Sequence, residues 1–342
     1  MKESYKKGDD TCMKHRFFMR SLRTERMEHN APIYYERKTK ETVREQVYKD
    51  NSMRFLYNTA LGGVCVLFLR LPVVSRIYGL FQKSKRSRTK IEKLIDAYGI
   101  QTSGAEYINS SFNDFIIRRR LRTDFDTDRN HLIAPADSCL LAYTIDKDVI
   151  LSVKDKRYTL SRFLKDSDLA REYEGGTFLV FRLRVYDYHR FCFVDDGVII
   201  SHKCIRGFLD SVNKNATGRF TLSSNYREIS LLRTVNFGIA VFAEIGAMLV
   251  GRIVQTRHMT KRPVSPQNAG EKTNYLSASP STPGTTAFHK GDEKGYFEFG
   301  GSSIVLLFKK DVVKIDDDIW AYSAKGIETK VSYGEKIGEK RA

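Results

Sequence analysis

Residues 294–310 read KGYFEFGGSSIVLLFKK. Two β-type runs, at 296–299 and 304–308, flank the small residues Gly300, Gly301, Ser302 and Ser303. Two readings fit that break. In one it is a turn: Gly supplies unusual backbone angles, Ser supplies local hydrogen bonds, and the two strands pair across it. In the other, Ser302 is a nucleophile and Gly301 leaves its own carbonyl unshielded.

Upstream, from about residue 130 to 260, short β-type runs follow one another: HLIAPADSCLLAYTI, DVILSV, GTFLVFRLRVYDYHRFCFV, GVIISHKCI and FGIAVFAEIGAMLVGRIV. Strands in series without alternating helices predict an antiparallel or mixed sheet. Further back, KIEKLIDAYGI carries Ile91, Leu94, Ile95 and Tyr98 at helical spacing. The uncharged run Phe55 to Leu69 is shorter than the roughly 20 apolar residues a bilayer crossing needs. Arg70, Pro72 and Arg76 then interrupt it, which predicts two short helices broken near Pro72. The basic stretch KSKRSRTK follows. Such a segment suits helices lying in a membrane interface, and equally a core helix pair beneath a solvated basic loop.

The expected fold class is α+β, with N-terminal amphipathic helices followed by a mostly antiparallel β-sheet core. The expected divisions are a charged, partly flexible extension over 1–52, a helical membrane-associating region over 53–125 and a β-rich catalytic domain over 126–338. Residues 261–288 are rich in Pro, Ser, Thr and Gly and read as an exposed, mobile loop inside that domain.

Of the 342 residues, 41% are hydrophobic and 12% aromatic, enough for a sizeable core and against global disorder. The 58 Lys and Arg outweigh 41 Asp and Glu, a formal +17 that favours an anionic partner. Zinc-finger spacing and RNP-like aromatics are absent, so nucleic acid lacks a second line of support. The five cysteines are Cys12, Cys65, Cys139, Cys192 and Cys204. Their odd number and lack of CxxC spacing argue against a disulfide framework or a metal site and for a reducing compartment. The N-terminal stretch lacks the apolar core of a signal peptide, and both Met1 and Met27 stand as start codons.

His189, in VYDYHRFCFVDDG, sits at a strand end, where a histidine is either a surface residue or a base. Asp137, in IAPADSCLL, is either turn chemistry or a base's partner. Ser, His and Asp spread along a chain can converge as a charge-relay set, because such sets are defined by geometry and not by order.

Five stretches, in order from residue 112 onward, resemble those of the phosphatidylserine decarboxylase family, especially its shorter bacterial branch. FNDFIIRR resembles the family's FNDFF-x-R segment, APADS its (S/A)PxD(G/S) segment, and DYHRFCFVDDG its YHR strand and turn. NYREISLLRTVNFGIAVFAEIGAMLVGRI and KGDEKGYFEFGGSSIVLLF resemble its glycine-rich and maturation segments. The likeness runs from about residue 30 to 338.

The resemblance implies a proenzyme that cuts itself between Gly301 and Ser302. The Ser302 hydroxyl attacks the Gly301 carbonyl, with His189 as base and Asp137 orienting it. Elimination then leaves a β chain, 1–301, and an α chain, 302–342, whose first residue becomes a covalent pyruvoyl group. That ketone forms a Schiff base with the amine of phosphatidylserine, and CO2 leaves to give phosphatidylethanolamine. The implied partners are phosphatidylserine in an anionic membrane and the two cleaved chains as a heterodimer, with a higher homo-oligomer left open. No metal and no nucleic acid are implied, and the implied location is the cytoplasmic side of the cell membrane, peripherally bound.

Three positions depart from the pattern: Cys192 stands where many members have a second histidine, Ser303 replaces a commoner Thr, and Ser138 follows the aspartate where Gly is frequent. Rival readings are a pyruvoyl-dependent decarboxylase of a soluble amino acid and a non-processing lipid-binding relative. An ordinary serine hydrolase lacks its G-x-S-x-G elbow here.

Overall fold

The structure, a computed structural model, describes residues 32–46, 51–52, 55–56, 59–100, 105–106, 110–120, 124–153, 156–210, 222–249, 252–256, 286–299 and 302–341. Gly300, Gly301 and residues 261–285 of the expected mobile loop lie outside the described residues.

The first strands are β1 (Ile33–Glu36), β2 (Glu41–Arg44), β3 (Ala105–Glu106), β4 (Arg119–Arg120), β5 (His131–Ile133), β6 (Ser138–Thr144), β7 (Val149–Val153) and β8 (Lys156–Thr159). The middle of the chain gives β9 (Thr177–Leu183), β10 (Arg190–Cys192), β11 (Gly197–Ile205), β12 (Arg227–Thr234), β13 (Ile239–Ile245) and β14 (Arg252–Gln255). The last are β15 (Thr286–Phe288), β16 (Glu293–Glu298), β17 (Ser302–Phe308), β18 (Val313–Ile315), β19 (Glu328–Val331) and β20 (Lys336–Lys340). The α-helices are α1 (Ala60–Leu69), α2 (Pro72–Gln82), α3 (Thr89–Tyr98), α4 (Phe112–Ile116), α5 (Leu160–Leu164), α6 (Ser167–Arg171) and α7 (Asp317–Ala324).

A ten-stranded sheet runs in the order β15-β11-β12-β13-β17-β9-β6-β19-β1-β2. Its pairs are antiparallel except β1 with β19, so the mixture of helices and a mostly antiparallel sheet is as expected. All seven residues of β17 are buried. Apolar material covers both faces. Ile304, Leu306 and Phe308 pack with Leu179, Phe181, Phe191 and Phe297 towards the small sheets β10-β16-β14 and β18-β20-β5. Val305 and Leu307 pack with Phe163, Leu164 and Tyr173 around α5 and α6. Each such side chain contributes roughly 1.5–3 kcal/mol relative to exposure.

The turn reading of the Gly-Gly-Ser-Ser segment fails. β16 and β17 do not pair across it: β16 lies between β10 and β14, while β17 lies between β13 and β9. Period-2 patterning identifies each strand but carries no information about its partner.

The segment assigned by sequence to a charged extension contains β1 and β2, which complete one edge of the main sheet. Arg37, in the turn between them, reaches Asp316 and Asp318 at 2.8 Å and Glu335 at 2.9 Å. Tyr35 stacks on Tyr322 with ring centroids 3.9 Å apart.

In the helical region Thr59 caps α1 by accepting from the Gly62 amide, and Pro72 opens α2 at its first position. The two helices bend by 81° at the break that Pro72 predicts. Among the described residues no single helix is long and apolar enough to cross a membrane. The bend is fastened to the β-rich part by Arg70, which meets Asp210 at 3.0 Å and lies 4.0 Å above the Phe208 ring.

Arg182, the buried penultimate residue of β9, holds Glu45 at 2.7 Å and Glu328 at 2.6 Å. Arg182→Met would strip two buried carboxylates of the guanidinium between them. The expected cost is about 3–5 kcal/mol, read as a fall in the urea midpoint with an unchanged slope.

Candidate active site

Ser302 opens β17 and is fully buried. Its Oγ makes no hydrogen bond among the described residues, in a core where buried hydroxyls are almost always satisfied. Its alternation with Ile304 and Leu306 turns the side chain to the aromatic face of the sheet.

The ladder brings the Asp137 and Ser302 segments to one end of that sheet. Ser303 and Cys139 both lie directly opposite Arg182, one on each side of β9. β6 and β17 are each antiparallel to β9, so their N-terminal ends lie together. Ser302 and the residues before Cys139 are thus two strands apart, roughly 10 Å across the sheet. Asp137 is half-buried just ahead of β6, and its Oδ1 accepts the Tyr333 amide at 2.7 Å.

His189 lies on the neighbouring sheet, whose β16 runs into the Ser302 segment. β10 starts immediately after it, Arg190 pairs with Tyr296 of β16, and the His189 carbonyl accepts the Phe297 amide at 3.0 Å. The imidazole is buried, with Nδ1 2.9 Å from the Asp187 carbonyl oxygen. A carbonyl only accepts, so in the neutral ring Nδ1 carries the proton and Nε2 carries the lone pair.

Asp187 is itself locked. Its carboxylate meets Arg184 at 2.9 Å and Lys330 at 3.0 Å. Burial alone would favour the neutral acid, but Lys330 and Arg184 overcome it and hold the carboxyl well below the usual aspartate range.

The maturation segment is constrained on its N-terminal side. Phe299 has φ +50°, a left-handed conformation costly for a bulky residue. Its ring stands edge-on to Tyr78 of α2 at 5.0 Å and to Phe112 of α4 at 5.5 Å. Glu298 beside it accepts Lys83 at 2.9 Å. The helical region therefore grips the chain three residues before Ser302. Gly301 itself lies outside the described residues.

Cys192, the residue in place of a second histidine, is fully buried and donates its thiol to the Pro135 carbonyl at 3.6 Å. Burial pushes the thiol up to about 12, which suits a protonated strand residue and not a base.

Sequence reasoning missed a buried ion pair beside the Ser302 strand. Glu244 lies directly opposite Ile304, on the face that Ser302 shares. It is fully buried and ion-paired with Lys294, also fully buried. Burial raises the Glu244 carboxyl, with Lys294 opposing. The two residues are 50 positions apart, and neither sits in a spacing that marks chemistry.

The family model for phosphatidylserine decarboxylase matches residues 112–339, the region that contains Asp137, Asp187, His189, Cys192, Glu244, Lys294 and Ser302. A Clostridium acetobutylicum protein named phosphatidylserine decarboxylase proenzyme 2 is 43% identical over 310 residues, 89% of this chain and 97% of its own length. The phosphatidylserine decarboxylase proenzymes of Ruminiclostridium cellulolyticum and of Clostridium botulinum strain Langeland are 39% and 37% identical, each over about nine-tenths of this chain.

The chain belongs to the phosphatidylserine decarboxylase family.

Within this decarboxylase family member, Lys330 and Arg184 stabilise the buried Asp187 carboxylate. Its folded-state pKa lies below the ordinary value of 3.8. Its contribution is therefore complete above that ordinary value and is lost as pH falls through the folded-state value. Asp187→Asn, which leaves Arg184 and Lys330 without their carboxylate, should destabilise the protein by about 3–5 kcal/mol near neutrality. In urea titrations repeated at falling pH, the gap between wild type and variant should narrow below about pH 4.

Proposed function

We propose that this chain is a self-processing decarboxylase that converts phosphatidylserine to phosphatidylethanolamine and CO2. The observation that carries the reading is Ser302. It is a buried hydroxyl without a hydrogen bond among the described residues, at the first residue of a central strand, preceded by two glycines and a strained, clamped Phe299.

In the processing step the Ser302 Oγ attacks the Gly301 carbonyl carbon, and His189 Nε2 takes the hydroxyl proton. The Asp187 carbonyl fixes the tautomer this requires, and Asp137 supports the charge that forms. Acyl transfer turns the amide into an ester. Loss of the Ser302 α-proton then expels Gly301 as a carboxylate, and hydrolysis of the resulting dehydroalanine releases ammonia. A buried oxygen poised in an apolar layer fits the residue that would become the pyruvoyl group. Once formed, that group supplies an electron sink for decarboxylation. The chain's own residues hold the site dry: Leu183 pairs with Ser302, and the aromatic layer lies beneath.

Intact mass under denaturing conditions should give one chain ending at Gly301 and one beginning at a blocked residue 302. Ser302→Ala should stay whole. His189→Ala and Asp137→Asn should slow cleavage by several orders of magnitude. An uncut, well-folded wild-type chain would refute self-processing. Turnover of free serine in place of phosphatidylserine vesicles would favour the soluble-substrate reading.

The helical region supports a lipid substrate and a peripheral membrane location. α2 buries Ser75, Gly79 and Gln82 and turns its apolar residues outwards, the reverse of a core helix. Leu61, Ile77 and Leu80 are 66%, 64% and 71% exposed. Of the five basic residues that follow, Lys83 is paired with Glu298 and Lys90 lies 4.9 Å from the Phe81 ring centroid. Lys85, Arg86 and Arg88 remain for anionic lipid, each contributing on the order of 1 kcal/mol. Pelleting with anionic vesicles should weaken as salt rises without vanishing. Ile77→Glu with Leu80→Glu should abolish it and leave chain cleavage unchanged.

A further inference from the structure

On the β11–β12 pair, three side chains of metal-ligand type meet. The donor atoms of His202, Cys204 and Glu228 all lie within 4.8 Å of one another. The ladder dictates this. His202 and Cys204 are two apart along β11 and so share a face. In the antiparallel register Cys204 lies directly opposite Glu228, and His202 directly opposite Ser230. Directly opposed residues also share a face.

The distances suit a single ion. His202 Nε2 is 3.4 Å from Glu228 Oε2 and 3.9 Å from Cys204 Sγ. A tetrahedral centre with bonds of about 2.0–2.3 Å separates its ligand atoms by roughly 3.3–3.6 Å, so only small side-chain movements are needed. The supporting groups are also in place. Ser230 Oγ is 3.1 Å from His202 Nδ1. With Ser230 accepting from Nδ1–H, the Nε2 lone pair faces Cys204 and Glu228, as in ligating histidines. Tyr226 donates to Glu228 Oε1 at 2.8 Å and Gln255 to Glu228 Oε2 at 2.9 Å, which fixes the carboxylate.

Charge points the same way. Glu228 lies directly opposite Glu244 on β13, so two buried carboxylates sit side by side. Gln255 bridges them indirectly, donating to Glu228 and accepting from Lys294 at 3.2 Å. Lys294 offsets Glu244, and His202 Nε2 faces Glu228 at 3.4 Å, where a divalent cation would take the place of the imidazole proton. Cys204 is exposed, which leaves an approach from solvent.

We propose that His202, Cys204 and Glu228 form a binding site for a zinc-class divalent transition metal, with a fourth position open to water. The mixed thiolate, imidazole and carboxylate set selects such an ion over magnesium or calcium, which prefer all-oxygen sites. Glu228 lies two strands from β17 on the face that Ser302 shares, but the metal assignment does not rest on the Ser302 chemistry. Its spacing escapes a search for CxxC pairs, because two ligands are alternate residues of one strand and the third comes from the next.

Cobalt(II) is the probe. The full-length chain, stripped with a chelator and kept reduced by a phosphine, should take up one cobalt per chain. A thiolate-to-cobalt charge-transfer band should appear in the near ultraviolet and be displaced by zinc. Cys204→Ser, at an exposed position, should fold normally by circular dichroism and lose that band. Glu228→Gln should weaken cobalt binding tenfold or more, while Cys65→Ser keeps both band and affinity. Zinc should raise the thermal midpoint of wild type and of Cys65→Ser but not of Cys204→Ser. Absence of a thiolate band in wild type, or its survival in Cys204→Ser, would overturn the assignment.

Discussion

The placement of β17 between β13 and β9 is the constraint from which the rest follows. A strand paired on both edges and covered on both faces must be apolar throughout, and Ile304 to Phe308 meet that demand. The two serines at its start then enter the interior with it. Ser303 faces the layer that includes Arg182, whose charge Glu45 and Glu328 balance. Ser302 faces the aromatic layer. A buried hydroxyl with no hydrogen-bond partner among the described residues costs stability of order 1–3 kcal/mol. Such a cost is typically retained where an atom has chemistry to perform.

The segment before it is held from the opposite direction. Tyr78 and Phe112 belong to the helical region, yet their edge contacts fix Phe299 in a conformation its side chain disfavours. The same small cluster includes Ile91, Leu94 and Phe115. The helices thus do more than present an apolar surface. They clamp the chain at Phe299, three residues before Ser302, so the exposed apolar helices and the chemical part of the proposed enzyme share one packed joint.

Much of this was legible in the sequence where local rules suffice. Pro72 marked the helix break, the alternating runs marked the strands, and the ordered segments around Asp137, His189 and Ser302 marked the family. What stayed hidden depends on which strand neighbours which. The hairpin reading at Gly300–Gly301 fails because β16 and β17 enter different sheets, a tertiary choice that alternation does not encode. Glu244 with Lys294, and His202 with Cys204 and Glu228, become neighbours only through sheet register. The inside-out α2 was half legible: its apolar content was plain, but the burial of Ser75, Gly79 and Gln82 was not.

The residues after Gly301 do not form a unit of their own. Ser302–Phe308 lies at the sheet's centre, Glu328–Val331 lies between β6 and β1, and Lys336–Lys340 lies between β18 and β5. Arg37 and Tyr35 bind their connecting segment from the far end of the chain. A peptide interleaved at three places cannot dock late onto a finished partner. If the chain is cut as proposed, the intact polypeptide alone holds the connectivity for unimolecular folding. The mature enzyme would then unfold into two pieces whose reassembly depends on concentration, so its persistence is governed by the barrier to coming apart and not by a reversible equilibrium.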